Sequence, residues 1–456
     1  MSRLVRGSGD FFVAGRRLSA PLLFSTVLAA NIGAGTTVAA AGLAYEEGVS
    51  AWWWNGSAAL GSLGLAFWVG PRMWRIAADH GFYTIGDYLE FRYSATVRGV
   101  VATLIWLGTL AILAGQLLAG TAVLTAVAGV SKLTGIVIGG VVMTVYFAAG
   151  GLLGSAWVNL IQLVVLIGGF LVAVPLLSSS LGGASAFSTI TPPHDEYWNI
   201  MYSTGSGQSG WAMIALFTPA FIVSPGLVQK AYGAASERVV RVGIGSQAFA
   251  QMAFGLLPVF FGIAARASDL RIELTDHALP ALLATELPVF VGALGLAAVF
   301  SAEVSTCDAI LFMLATSLSK DLYKRFVNPA ADDRRLLAMA RWAAFAGGAG
   351  GVLLAIQLET IMGALSIFYS LLGVSLFVPV VAGLMTRRSG APEALASITA
   401  GMATLLLVHF GTPERGVGFL SANLLGLVAA ALAFAGVMMM RGRRQTGSGN
   451  LHGTHL

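Results

Sequence analysis

Apolar runs of about 20 residues recur along nearly the whole chain, and short polar connections separate them. Such runs are typical of membrane-spanning helices, and the sequence lacks the alternating segments of about ten residues that a membrane β-barrel would show. We therefore predict an all-α integral membrane protein with about twelve spans. Their approximate bounds are 20–45, 51–74, 97–128, 133–150, 155–178, 210–229, 241–265, 285–318, 337–357, 360–385, 391–411 and 417–440.

Two of these spans contain residues that interrupt a helix. The first reads AANIGAGTT at residues 29–37, and the sixth reads FTPAFIVSPG at residues 217–226. Because lipid offers no hydrogen bonds, unwound backbone survives in a membrane only where it lines a cavity enclosed by protein. Each interruption opens a group of five spans, and an odd number of spans inverts the second group. The pattern predicts a five-plus-five inverted repeat with helices 1 and 6 broken, which is typical of transporters.

The composition agrees with a protein that is almost entirely membrane bundle. Hydrophobic residues make up 57% of the 456 residues and charged residues 10%, and the mean hydropathy is +0.80. No stretch is polar and long enough for a soluble domain of useful size, which argues against a sensor. The single cysteine, Cys307, excludes an internal disulfide and a cysteine-rich metal cluster.

The basic residues collect in every second connection between spans. With the N-terminus in the cytoplasm, 22 of the 26 lysines and arginines lie on the cytoplasmic side, Lys230 among them. This distribution follows the positive-inside rule. It places both termini in the cytoplasm of a multi-pass protein of the cell membrane. The net charge of +5 therefore reflects topology, and we expect no nucleic acid partner.

The spans divide the chain into six segments. We expect a cytoplasmic N-terminal segment at 1–19, a first five-helix repeat at 20–180, an outer loop at 181–209 and a second five-helix repeat at 210–385. Two additional helices follow at 386–440, and a polar cytoplasmic tail at 441–456 is expected to be disordered.

Polar and acidic residues inside span 8 are the candidate chemistry. This span reads GLAAVFSAEVSTCDAILF and places Glu303 and Asp308 beside Ser305 and Thr306. Carboxylates inside a membrane span are costly and are usually functional. We expect no basic side chain at comparable depth in spans 1, 6 or 8. Hydroxyl groups together with carbonyls freed by a broken helix can replace the hydration shell of a small cation.

Several short motifs, in this order, resemble the sodium/solute symporter family, whose core is the LeuT-type repeat. They are DFFVAGRRL (10–18), AANIGAG (29–35), TIGDYLEFRYS (84–94), YFAAGGLLGSAWVNLIQ (146–162), SPGLVQKAYGA (224–234), AEVSTCDAILF (302–312) and SKDLYKRF (319–326). The resemblance implies a secondary active transporter that imports a small organic solute with sodium as coupling ion. It implies sodium ligands at the carbonyls of Ala29, Ile32 and Ala302 and the hydroxyls of Ser305 and Thr306.

The sequence also departs from the family pattern. Members with a second sodium site usually carry an aspartate in span 5, where this chain has Asn159, so we expect one sodium per cycle unless Glu303 compensates. The pocket is poor in groups that bind sugars, which favours an amino acid, a carboxylate or a similar solute. Its expected lining is Asn31, Thr36, Asn55, Gln116, Phe217 and Phe221, although Gln116 could instead join helices and the phenylalanines could be packing. Trp52, Trp53 and Trp54 are expected to form an interfacial belt rather than a cation-binding cage.

Two other functions remain open at this point. Proton coupling through Glu303 or Asp308 is the first alternative to sodium coupling. An integral-membrane enzyme is the second, but the scattered histidines and the lone cysteine form no catalytic constellation. We expect no organic cofactor, and we expect a monomer whose partners are sodium, a small solute and the lipid bilayer.

Overall fold

The structure is a computed structural model that describes residues 12–149, 152–188, 190–201, 210–268, 270, 272–412, 416–417 and 420–449. For residues 146–149, 152–160, 184 and 442–449 it describes the backbone alone. The predicted role of Asn159 therefore falls on a side chain outside the described residues and stays a prediction.

The first half of the described chain forms nine helices. They are α1 (Ala20–Asn31), α2 (Ala40–Glu47), α3 (Trp52–Gly64), α4 (Gly70–His80), α5 (Ile85–Arg92), α6 (Ala95–Ala128), α7 (Lys132–Ala149), α8 (Leu152–Ser180) and α9 (Ala184–Ser188). Wider π-helical turns at Gly35–Ala39 and Leu65–Val69 lead into α2 and α4, and 3-10 turns occupy Ala14–Arg16 and Gly48–Ala51.

The second half continues with ten helices and one small hairpin. The helices are α10 (Gly210–Ile222), α11 (Pro225–Tyr232), α12 (Glu237–Phe254), α13 (Leu256–Ala267), α14 (Ala278–Thr285), α15 (Val289–Thr316), α16 (Asp333–Gln357), α17 (Ile361–Met385), α18 (Ala391–Gly411) and α19 (Ala422–Gly449). A π-helical segment at Ser317–Val327 extends α15, and a 3-10 turn occupies Thr275–His277. The strands Gly416–Val417 and Leu420–Ser421 pair antiparallel.

Both predicted interruptions are confirmed. The first span separates into α1 and the segment from Gly35 through α2, and the sixth separates into α10 and α11. Proline at the start of α11 suits a helix beginning, because its missing N–H would have no helical partner there. Four half-helices therefore meet near the middle of the bundle, where α6 and α15 pack beside them.

The count of twelve spans stays a prediction. Among the described residues, nine helices are long and apolar enough to cross a membrane, or ten when the bent first pair counts as one span. The eleventh predicted span coincides with α18. The last predicted span, at 417–440, begins at Ala422 instead and continues as a helix to Gly449, so the expected tail starts inside a helix.

Candidate functional site

The break in the first span creates backbone groups that lack helical partners. Helix α1 ends at Asn31, and Ile32 is extended with φ −94° and ψ 95°. The amide of Gly33 turns to the hydroxyl of Thr36 at 2.9 Å, and the amide of Thr36 turns to the carbonyl of Gly33 at 3.1 Å. The carbonyls of Ala29 and Ile32, which regular helix would pair with these two amides, are thereby free to bond elsewhere.

Helix α15 supplies the group that meets these carbonyls. The Thr306 hydroxyl lies 3.0 Å from the carbonyl oxygen of Ile32 and 3.2 Å from that of Ala29. Ala302 and Ser305 are buried on the same helix, one turn and one residue before Thr306. A Cβ on Gly33 would lie 2.4 Å from the Thr306 oxygen, so only glycine allows the two helices to approach this closely.

Glu303 is fully buried beside the same break. Its Oε1 lies 3.3 Å from the hydroxyl of Thr37, which in turn lies 2.8 Å from the carbonyl of Gly33. Within the described structure, its Oε2 has no hydrogen-bond partner. A buried polar atom of this kind is rare in native proteins and usually has a functional explanation.

The expectation that spans 1, 6 and 8 hold no basic side chain at this depth is wrong. Lys230 lies in α11 rather than in a cytoplasmic connection, and it is buried. Its Nζ donates to the carbonyl of Thr26 in α1 at 2.6 Å, and it interacts electrostatically with Asp308 of α15. The sequence suggested otherwise because α11 is only eight residues long and Lys230 lies near its end. Burial of such a short half-helix depends on the helices around it.

A small cavity of about 20 Å³, enough for about one water molecule, adjoins the first break. Five of the six predicted solute residues line it: Asn31, Thr36, Gln116, Phe217 and Phe221. Asn55 does not, because its side chain is buried behind the break and donates to the carbonyl of Thr36 at 3.2 Å. Thr306 lines the same cavity, so the oxygen cluster at the break and the cavity are continuous.

Several polar groups that line the cavity already form hydrogen bonds within the protein. The Asn31 amide donates to Gln251 at 3.1 Å, and the Thr36 hydroxyl is bonded within the break. Gln116 accepts from the amide of Ala34 at 2.9 Å, which is the helix-joining role that the sequence left open. Among the described lining residues, the groups left to meet a solute are the side-chain nitrogens of Gln116 and Trp54, the side-chain oxygen of Asn31 and the hydroxyl of Tyr369.

Two aromatic residues of the cavity were missed by the sequence analysis. Trp54 is buried in the cavity wall, 4.7 Å from Phe217 between ring centroids, so its expected place in an interfacial belt is wrong. Tyr369 of α17 lies 4.8 Å from Phe217 and 5.2 Å from Phe221. Neither position carries a local sequence signal, since aromatic residues are equally common at helix interfaces.

A buried ion-pair cluster closes the predicted cytoplasmic end of the bundle. Arg98 of α6 lies within 2.7–2.9 Å of carboxylate oxygens of Asp87, Glu90 and Asp321. Asp321, in the π-helical extension of α15, also accepts from Thr84 at 2.6 Å. The cluster joins α5, α6 and the end of α15.

A half-buried aspartate joins two elements at the opposite end of the bundle. Asp276, in the 3-10 turn at Thr275–His277, accepts from the amide of Ile361 at the start of α17 at 2.8 Å. Burial raises the pKa of Asp276 to about 6. The carbonyl of Thr275 packs on α2 at Gly42, where a Cβ would lie 2.5 Å away. This turn therefore links α17 to the outer half of the first broken helix.

Known proteins are similar to this chain in sequence and in fold. A model of the sodium:solute symporter family matches residues 11–401. The uncharacterized symporter YidK of Escherichia coli (strain K12) is 28% identical over 353 residues, which cover 73% of this chain and 60% of that protein. The sodium/glucose cotransporter of Vibrio parahaemolyticus is 26% identical over 374 residues, which cover 74% of this chain and 67% of that protein.

A solved structure extends the likeness to the whole bundle. A Na+-coupled sialic acid symporter in a substrate-bound outward-open state matches with a TM-score of 0.81 at 19% identity, over 96% of this chain and 93% of that chain. The chain thus belongs to the sodium:solute symporter family and has the LeuT-type fold.

Proposed function

We propose that the protein is a secondary active transporter that couples the entry of sodium to the uptake of a small organic solute. The observation that carries this proposal is the contact between the freed carbonyls of Ala29 and Ile32 and the hydroxyl of Thr306, next to a small cavity at the break. Membership of a family of symporters supports transport rather than enzyme chemistry. We place the protein in the cell membrane as a monomer with both termini in the cytoplasm.

The sodium ligands in this proposal are five oxygens. They are the carbonyls of Ala29, Ile32 and Ala302 and the hydroxyls of Ser305 and Thr306. Hard cations prefer oxygen ligands, and a hydroxyl can turn its proton away and offer a lone pair to an ion. Because α1 and α15 contribute ligands to one site, sodium would hold the two helices together.

Transport would follow from alternating closure of the two ends. Sodium can shift the protein toward one state only by the difference in its affinity for the two states. A site shared between α1 and α15 has such a difference, because relative movement of the helices separates its ligands. The Arg98 cluster would have to open to release sodium and solute into the cytoplasm, and the Asp276 contact would have to open to admit them.

The test is the thermal stability of the purified full-length protein in sodium chloride against potassium chloride at equal ionic strength. A ligand at 100 times its Kd stabilises by about 2.7 kcal/mol, so specific binding raises the unfolding midpoint in sodium. The double variant Ser305→Ala with Thr306→Ala should lose this difference. Thr109→Ala is the matched control, because Thr109 is buried and bonds only within its own helix, to Ile105. Sodium stabilisation that survives in the double variant would refute the site.

A further inference from the structure

The chain before α1 folds back against the bundle at its predicted cytoplasmic end. Residues 12–14 and Leu18 are buried, and Leu18 forms a parallel β-bridge with Ala234. The amide of Leu18 donates to the carbonyl of Gly233, and its carbonyl accepts from the amide of Ala235, both at 3.0 Å. The bridge ties the chain that enters α1 to the chain that leaves α11. The predicted cytoplasmic halves of both broken helices are thereby held together.

The side chain of Arg16 fixes this segment to two helix ends. Its Nη2 donates to the carbonyl of Ala77 in the last turns of α4 at 2.7 Å and to that of Phe82 at 2.8 Å. Its Nη1 donates to the carbonyl of Tyr232, the last residue of α11, at 3.3 Å. Carbonyls at the C-terminus of a helix carry negative partial charge, which suits a guanidinium group. One arginine therefore joins the ends of α4 and α11 around the segment.

The backbone beside this arginine is strained. Ala14, Gly15 and Arg16 have φ angles of 49°, 58° and 57°, which lie in the left-handed region. For residues other than glycine this conformation is costly, and it persists only where the surrounding structure imposes it. Such positions cluster in segments that switch between states. The bonds of Arg16 and Leu18 therefore hold the segment against its local preference.

The same segment places an aromatic ring between α11 and the end of α15. Phe12 is fully buried, and its ring centroid lies 6.4 Å from that of Phe312 in α15 and 6.3 Å from that of Tyr83. The Nζ of Lys320, in the extension of α15, lies 4.1 Å from the centroid of Tyr83 and 5.9 Å from that of Phe12. The carbonyl of Phe12 accepts from the side chain of Gln229 in α11 at 3.1 Å.

A second small cavity connects this aromatic contact with the sixth break. It has a volume of about 10 Å³, and its lining extends from Pro225 at the break to Thr84 and Asp321 in the Arg98 cluster. Gln229, which bonds to Phe12, lines it as well. A path from the central site to the cytoplasm would lead through this cavity. The Arg98 cluster blocks one side of that path, and Phe12 blocks another.

We propose that residues 12–18 form a latch that closes the cytoplasmic exit, with Phe12 as its plug and Arg16 as the residue that positions it. The inference rests on the proposed function and concerns how the same transporter opens toward the cytoplasm. Hydrogen bonds join the latch to α4 and α11, whereas ring contacts join it to α15. The latch would therefore move with the broken helices and separate from α15 when this end opens.

The test measures opening at the inner end with a reporter cysteine in the purified full-length protein. Cys307→Ala removes the native cysteine, and Thr316→Cys places a thiol in the inner cavity. The readout is the rate at which a small charged thiol reagent modifies this position in potassium chloride. Phe12→Ala and Arg16→Met should each raise the rate by about tenfold or more, since a buried aromatic ring and hydrogen bonds from a charged donor both contribute enough free energy for that change.

Matched variants control for the loss of an arginine or a phenylalanine elsewhere. Arg72 is exposed on α4 and donates to the carbonyl of Trp68, one turn earlier, and Phe249 is exposed on α12. Arg72→Met and Phe249→Ala should leave the rate unchanged. Arg16→Lys and Phe12→Leu should give intermediate rates, because part of the charge or of the apolar volume remains. These milder variants carry the test if the larger substitutions prevent folding.

A second reporter distinguishes a latch from a general loss of packing. Ser50 is buried in the 3-10 turn that follows α2, at the predicted outer end, and Ser50→Cys replaces Thr316→Cys in the same background. Variants of a latch favour the state that is open to the cytoplasm, so modification at this outer position should stay the same or become slower. A faster rate at both reporters, or equal inner rates in latch and control variants, would overturn the proposal.

The latch and the sodium site fail separately in this design. Sodium in place of potassium should slow modification at Thr316→Cys when the latch is intact, because sodium held between α1 and α15 favours the closed inner end. If latch variants open this end but sodium has no effect in the parent protein, the latch stands and sodium coupling is wrong. If sodium protects the parent protein but latch variants match their controls, the latch is wrong and the sodium site stands.

Discussion

The two broken helices of this protein differ in how they hold their breaks open. In the first, Gly33 and Ala34 form hydrogen bonds with side chains of their own segment and of α6, and Thr306 of α15 meets the freed carbonyls. In the sixth, only Val223 and Ser224 separate α10 from α11, and the proline at 225 starts the second half. The first break is a polar site, and the sixth break follows a helix whose cavity face is aromatic.

This difference separates two tasks that a symporter must combine. The first break brings oxygens from two helices together, which is what a small metal cation requires. Helix α10 brings Phe217 and Phe221 to the cavity, which is what the body of an organic solute requires. Lys230 connects the two, because it belongs to α11 and bonds to α1. Variants of each break test whether the two breaks have these separate roles.

The largest effect is expected from Lys230→Met, which cuts the link between the two breaks. The variant removes the hydrogen bond from Lys230 to the carbonyl of Thr26, which as a bond from a charged donor contributes about 1.5–3 kcal/mol, and also removes the electrostatic attraction between Lys230 and Asp308. We expect a large fall in the unfolding midpoint of the full-length protein. Adding Asp308→Asn should recover part of the loss, since the attraction of Lys230 no longer offsets the burial of that carboxylate. A Lys230→Met protein as stable as wild type would show that the two half-helices are not joined through this side chain.

Alanine at one glycine of each broken helix should give opposite results. In Gly33→Ala the new Cβ would lie 2.4 Å from the Thr306 oxygen and 2.7 Å from the Gln116 oxygen, so overpacking should cost about 1–3 kcal/mol. Sodium stabilisation should also be lost. In Gly226→Ala the nearest atom is the sulfur of Met313 at 3.6 Å, an ordinary contact, and the change should be neutral or slightly stabilising. Thermal unfolding in sodium and in potassium measures both effects.

The smallest expected effect is a change of stability with pH. It involves Asp276, whose turn contacts the outer half of the first broken helix. Because burial raises the pKa of Asp276 to about 6, above its ordinary value of 3.8, the folded protein binds more protons than the unfolded chain between these pH values. Stability contributed by this group is therefore present at low pH and falls as pH rises from about 4 to about 6.

Asp276→Asn keeps an oxygen for the amide of Ile361 and removes the titration. The difference in unfolding midpoint between this variant and wild type should change over that pH range and be constant above it. Burial also raises the pKa of Glu46 and Glu47, so the difference between the two proteins, rather than either curve alone, is the measurement. A difference that is flat from pH 4 to pH 6 would contradict the raised pKa of Asp276.

Much of the candidate site could be predicted from the sequence because its residues are unusual in a membrane-spanning helix. An asparagine and two glycines inside an apolar run have no packing role in a lipid-facing helix, so they indicated an unwound cavity wall. The predictions for Trp54 and Asn55 were wrong because these neighbouring residues point to different sides of α3. Which of them reaches the cavity depends on the side of α3 that faces α10. No local pattern contains that orientation.

The sequence by itself determined the membrane bundle, the positions of the two breaks and the oxygen-rich stretch of α15, because hydropathy and helix-breaking residues act over a few neighbouring positions. Tertiary structure alone decided that Lys230 bonds to α1, that Gln116 holds the amide of Ala34, and that Trp54 and Tyr369 complete the cavity wall. These contacts join residues far apart in the chain. They form only when the half-helices pack against α6, α15 and α17, and packing of that kind leaves no periodic signature in the sequence.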